Sequence, residues 1–174
     1  SPGEYDRFRK IVDGLVASDQ VVDLFEYTLQ RIVSRHLDTY FRKTRPPRIK
    51  YRKLDVLTKD ASVLMSTLAV FSNTNDADQI RASFDIGSRH VERAGGRKLE
   101  FQDAKNCNLN AIRTAIDHFS YSTPIVKREF LLACSKAVLT DGKISSNEAE
   151  LIRAIADSMG CPIPPFVRTA PLAA

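Results

Sequence analysis

Tyr5, Phe8, Ile11, Val12, Leu15 and Val16 recur at the i, i+3, i+4, i+7 spacing that lines one face of an α-helix. The stripe stops near Ser18-Asp19. Asp23 then heads a second helix, with Glu26 three residues on as the other half of a capping box and Phe25, Leu29, Ile32, Val33, His36 and Leu37 on one stripe. Pro46-Pro47 argues against continuation past Thr44, because each ring removes a donor and clashes with the preceding turn. Further helices are predicted over residues 59–71 after a Thr58 cap, from Asp76 or Asp78 to a stop at Gly95-Gly96, and over residues 109–119. Residues 73–78 read as a polar loop, and residues 97–108 are polar and weakly patterned. Thr123-Pro124 is a cap followed by proline at the first helical position. The helix it opens carries Phe130, Leu131, Cys134, Ala137 and Val138 inward. Asp141-Gly142 is a turn, Ser145 and Glu148 form another capping box, and the last helix carries Leu151, Ile152, Ile155 and Met159 before Gly160 ends it. The segment Cys161-Pro162-Ile163-Pro164-Pro165 is incompatible with helix. The pattern contains no strand run, so the chain reads as an all-α bundle of about seven helices.

Part of this pattern occurs twice. Phe8, Asp19, Glu26, Leu29 and Arg31 spell F-x10-D-x6-E-x2-L-x-R, and Phe130, Asp141, Glu148, Leu151 and Arg153 spell it again at a constant offset of 122 residues. Leu15, Val16, Val33 and Leu37 fall on Ala137, Val138, Ile155 and Met159 in the same register. The period is too long for a solenoid. It predicts one helix–turn–helix unit used in each half of a single domain spanning residues 1–174. The two units, residues 5–37 and 127–159, would be related by pseudo-symmetry, with a basic loop at 41–53 and a proline-rich tail at 161–174.

At 174 residues the chain is about one domain and buries roughly two-thirds of its unfolded surface, so no disulfide or structural metal is needed to hold a core. Cys107, Cys134 and Cys161 form no even framework and no C-x-x-C, which favours a reducing compartment. Cys134 occupies the place of Val12 in the first unit and reads as a small core residue. No apolar run approaches the ~20 residues of a spanning helix. The nearest, residues 61–71, is interrupted by Ser62, Ser66 and Thr67. A chain opening on Ser1 rather than Met reads as a piece of a longer protein.

Net charge is +5, but it belongs to one tract. Arg42, Lys43, Arg45, Arg48, Lys50, Arg52 and Lys53 lie within 13 residues, and without these seven the chain is slightly acidic. Such a tract is either a solvated loop or a polyanion contact. The anionic inner leaflet of a membrane is the preferred contact, since each cation near it contributes ~1 kcal/mol. Tyr40, Phe41 and Tyr51 flank the charges as possible stacking platforms, but three aromatics are thin support for nucleic acid.

Catalytic signatures are missing. His36, His90 and His118 belong to no H-E-x-x-H, and His90-Val91-Glu92 is followed by no P-C-x-x-C. His36 lies on an apolar stripe and reads as a packing residue. There is no G-x-S-x-G and no phosphate-binding glycine loop. Asp141-Gly142-Lys143-Ile144 and Glu148 resemble the end of an EF-hand loop, but Ala137 and Leu139 stand where ligating oxygens are required. Asp19, Glu26, Asp141 and Glu148 have two readings. As caps they satisfy free backbone N–H groups. As a cluster brought together by pseudo-symmetry they could hold a hard divalent cation.

The stretch LLACSKAVLTDGKISSNEAELIRAIADSMG resembles the TerB-like (tellurite-resistance B) family, an all-helical double repeat. In that family a helix ends at Asp-Gly, a hydrophobic residue follows, and Glu opens the next helix. IVDGLVASDQVVDLFEYTLQRIVSRHL is a weaker match, with Gln20 in place of Gly. The resemblance implies metal binding at the acidic positions. A second resemblance covers most of the chain. VVDLFEYTLQRIVSRHL, VLMSTLAVFS, NAIRTAIDHF and DGKISSNEAELIRAIADSMGCPIPPF are similar to the cytoplasmic C-terminal region of bacterial membrane-bound M48-family zinc metallopeptidases. This likeness implies a non-catalytic regulatory or interaction module at the cytoplasmic side of the inner membrane. Its first partner would be the preceding transmembrane and catalytic part of the same polypeptide, which holds the zinc, with a regulatory protein as another. A free-standing TerB-like sensor of metal or envelope stress is one alternative, and a nucleic-acid-binding domain acting through the basic loop at 41–53 is another.

Overall fold

The computed structural model describes residues 48–72, 76–103, 105–139 and 144–161. Its regular secondary structure is helical, and no strand occurs among the described residues. A short 3₁₀ turn, Leu54–Leu57, leads into α1 (Thr58–Ser72), followed by α2 (Ala77–Arg93), α3 (Leu109–Ser120), α4 (Pro124–Val138) and α5 (Ser146–Met159). The all-α expectation holds for these residues. The first predicted unit, residues 5–37, lies outside them.

Local chemistry explains the boundaries. Asp76 Oδ1 accepts from the amides of Asp78 and Gln79 at 3.0 and 3.1 Å, capping α2. Asn108 caps α3 by accepting from Ala111 N at 3.0 Å, and Thr123 caps α4 ahead of Pro124. Gly95 (φ 86°) and Gly160 (φ 70°) end α2 and α5 in the left-handed conformation. In both places two amides turn back onto the last turn. Gly95 N donates to Glu92 O and Gly96 N to Val91 O; Gly160 N donates to Asp157 O and Cys161 N to Ala156 O. Both are Schellman endings. Thr58 departs from the cap expected of it. It is already helical, and its hydroxyl donates to Asp55 O at 2.7 Å, because the 3₁₀ turn before it supplies the start.

The core is built from Leu57, Leu64, Met65 and Leu68 on one side and Ile116, Phe119, Phe130, Leu131, Ile152 and Ile155 on the other, all essentially without solvent contact. Phe119 and Phe130 stack with centroids 4.3 Å apart. The inward positions predicted for α4 and α5 are all buried, Cys134 included.

The closest helix pair is α2 with α4, running antiparallel. Small residues permit it. Ser83 Oγ donates to Ala137 O at 2.8 Å in the buried interface. One turn on, a Cβ at Gly87 would lie 3.3 Å from Ala137 Cβ and 2.4 Å from Met65 Sδ of α1. Gly87 is thus where three helices meet.

Residues 97–103 are not the featureless linker their polarity suggested. Leu99 is buried, and Phe101 meets Phe84 edge-on with centroids 5.2 Å apart. Arg81 covers both rings. Serine hydroxyls hold the backbone. Ser88 Oγ accepts from Leu99 N at 3.0 Å, Ser62 Oγ from Glu100 N at 3.1 Å and Ser66 Oγ from Gln102 N at 2.9 Å. The serines that interrupt the apolar run of α1 are therefore the anchors of an extended strap across α1 and α2.

Candidate functional site

Of the four candidate carboxylates, Glu148 is described; Asp19, Glu26 and Asp141 lie outside the described residues. Glu148 closes the predicted capping box in full. Its Oε2 accepts from Ser145 N at 2.8 Å and from Ser145 Oγ at 2.7 Å, while Ser145 Oγ accepts from Glu148 N at 3.3 Å. Two amides at the start of α5, those of Ser145 and Glu148, are thereby satisfied, which is the work of a cap. Among the described residues no group of three or more His, Cys, Asp or Glu stands together.

The basic tract divides in the same way, with Arg42, Lys43 and Arg45 outside the described residues and Arg48, Lys50, Arg52 and Lys53 within them. All four described cations are exposed. Their backbone is fixed at the corner between α3 and α4. Lys50 N donates to Tyr121 O at 2.8 Å, and Thr123 N donates to Tyr51 O at 3.0 Å, forming a one-residue parallel bridge between Tyr51 and Ser122. Lys50 Nζ lies 4.6 Å from the centre of the Tyr121 ring, a cation–π contact. Tyr51 is half-buried, its ring 5.4 Å from that of His118. The one flanking aromatic that is described is thus committed to the fold.

Two histidine–carboxylate pairs come together that the sequence did not announce. His118 Nδ1 lies 3.0 Å from Asp60 Oδ2 and ties α3 to α1. Burial pushes the Asp60 carboxyl above its usual value, against the opposing pull of His118. Among the described residues His118 bonds to this carboxylate rather than to a hydroxyl or thiol. His90 Nε2 lies 3.4 Å from Glu129 Oε2, near enough for electrostatic attraction but not aligned as a hydrogen bond. Burial, and then the charge of Lys136, hold His90 below its ordinary value, while Arg128 and His90 hold Glu129 below its own. The partners are 58 and 39 residues apart in the chain, so no spacing rule could have found them.

One buried cation also serves a helix end. Lys127, on α4, donates through Nζ to Met159 O at 2.7 Å. A positive charge at the carbonyl end of α5 is favoured by the helix dipole. Cys107, Cys134 and Cys161 are free thiols, and burial pushes all three up, Cys134 to about 12.

Compared with protein families, curated proteins and solved structures, the chain matches none. No helix among the described residues is long and apolar enough to cross a membrane.

Proposed function

We propose that this chain is a TerB-like, non-catalytic regulatory or interaction module. It would be attached to a membrane-bound zinc endopeptidase of the M48 type that degrades membrane or misfolded proteins. In that reading it stands at the cytoplasmic face of the bacterial inner membrane and contacts the transmembrane and catalytic part of its own polypeptide. The observation that carries the proposal is the α4–α5 pair, which matches the helix–turn–helix unit of the resemblance and leads into its most specific part, Cys161-Pro162-Ile163-Pro164-Pro165. α4 ends at Val138, just before Asp141-Gly142; Glu148 opens α5 through its capping box; and the Gly160–Cys161 ending leads into Pro162-Ile163-Pro164-Pro165. The full TerB-like arrangement, seven helices with two pseudo-symmetric units, belongs to the same proposal.

Two measurements test it. The coding sequence upstream of Ser1 should contain an H-E-x-x-H between apolar spans. A reading frame that starts close to Ser1 overturns the attachment. The purified chain should leave casein intact with or without zinc, whereas cleavage abolished by a chelator overturns the non-catalytic role.

A further inference from the structure

We propose that the anchored segment 48–53 and three neighbouring aliphatic side chains form a docking face for an anionic lipid surface. Five large hydrophobic residues are exposed among those described, and three of them gather around this segment. Ile49 (49% exposed) lies within it, Val56 (64%) follows one short turn after Lys53, and Ile125 (67%) stands two residues beyond Thr123, whose amide bonds to Tyr51. Arg48, Lys50, Arg52 and Lys53, all exposed, lie in the same segment and supply positive charge. None of the four is in a salt bridge among the described residues. The nearest carboxylates in the chain form no ion pair with them among the described residues, and Asp60 is engaged by His118.

The combination selects the partner. Cations beside exposed aliphatic side chains match a surface with anionic headgroups over an apolar interior. A single-stranded nucleic acid would instead use free aromatic faces for its bases, and here Tyr51 packs on His118 while Tyr121 is covered by Lys50. Anchoring also matters. Because hydrogen bonds to Tyr121 and Thr123 already fix the segment, little chain entropy is lost when it docks. The proposal deepens the membrane-adjacent reading above and rests on it for the choice of surface, but its test involves no peptidase.

The test is co-sedimentation of the full chain with phosphatidylcholine vesicles, with and without phosphatidylglycerol. Binding should require phosphatidylglycerol and weaken with added salt. Each cation removed should weaken it about fivefold, so Arg48→Gln, Lys50→Gln, Arg52→Gln and Lys53→Gln together should lower it several-hundredfold or about that. Ile49→Ser with Ile125→Ser should weaken it about tenfold, since apolar side chains that enter the lipid then no longer do so. Lys105→Gln, in the turn before α3, with Arg113→Gln, in the N-terminal half of α3, should change it little. All substituted side chains are exposed, and unchanged melting temperatures would show that the variants fold. Absence of vesicle binding overturns the docking face. So does binding that ignores the isoleucine changes while an oligonucleotide binds equally well, because that is polyanion attraction alone. Neither result touches the peptidase attachment, and an upstream frame without H-E-x-x-H leaves the vesicle result standing.

Discussion

Replacing Gly87 by alanine should destabilise the wild-type protein yet stabilise a protein that carries Met65→Ala. Gly87 sits inside α2, where alanine gains about 1 kcal/mol from helix propensity. Opposing that, the new Cβ would fall 2.4 Å from Met65 Sδ, 2.7 Å from Met65 Cε and 3.3 Å from Ala137 Cβ. Met65 is fully buried, so its thioether can leave only by displacing other core atoms. Overpacking of this kind costs about 1–3 kcal/mol, for a net loss of about 0–2 kcal/mol. Met65→Ala alone should cost about 2–5 kcal/mol through the cavity it leaves. In that background the two nearest obstructing atoms are gone, and Gly87→Ala should then recover about 1 kcal/mol. The coupling energy is the difference, about 1–3 kcal/mol, well above the scatter expected of independent sites. Urea unfolding of the four proteins, followed by far-ultraviolet circular dichroism, measures it. Equal stabilisation by Gly87→Ala in both backgrounds would refute the three-helix contact at this glycine.

Acidification should destabilise the protein first through His90. Its folded-state value is lowered, so the unfolded chain takes up a proton at 6.5 that the folded chain refuses, and stability falls as pH drops below 6.5. Glu129, also lowered, contributes stability above 4.5 that is lost as pH falls through its folded value. Denaturation midpoints across this range should decline for wild type, and His90→Gln should flatten the upper part; a parallel decline in the variant would refute the assignment. Thiol labelling with a small disulfide reagent should reach Cys107 and Cys161 slowly in the folded protein and Cys134 only after denaturant, since Cys134 is 1% exposed and its thiol pKa is pushed up to about 12. Three equally fast thiols would contradict the α4 packing.

What the chain reveals by itself is what short-range chemistry decides. Thr123-Pro124, Ser145 with Glu148, Gly95-Gly96 and Gly160 mark helix ends because each acts within one turn, and all four behave as read. Thr58 misled because a 3₁₀ turn, invisible to a 3.6-residue period, precedes it. The strap escaped notice because its amides are held by serines 11, 38 and 36 residues away. Ser62 and Ser66 looked like defects in an apolar run, although their i, i+4 spacing places them on one face of α1. In the basic tract the charge was legible, but the pairing with Tyr121 and Thr123 was not, and neither was Ile125 as a neighbour. Those depend on the path of the chain, not on composition. Of the paired carboxylates, Glu148 shows the capping half of its two readings; the cluster reading turns on Asp19, Glu26 and Asp141, which lie outside the described residues.

The strap also sets how the molecule can come apart. Ser62 and Ser66 belong to α1, Ser88 belongs to α2, and the hydroxyl oxygen of each accepts from an amide of the same seven-residue stretch. The two helices therefore cannot part without releasing either Leu99 from α2 or Glu100 and Gln102 from α1, and neither release leaves the packing of Leu99 and Phe101 intact. Opening there is a single event that exposes apolar surface, not a fraying of loop residues. A loop in sequence thus behaves as a cooperative unit of the interior, and its three amides should exchange with solvent at the pace of the helices they clasp.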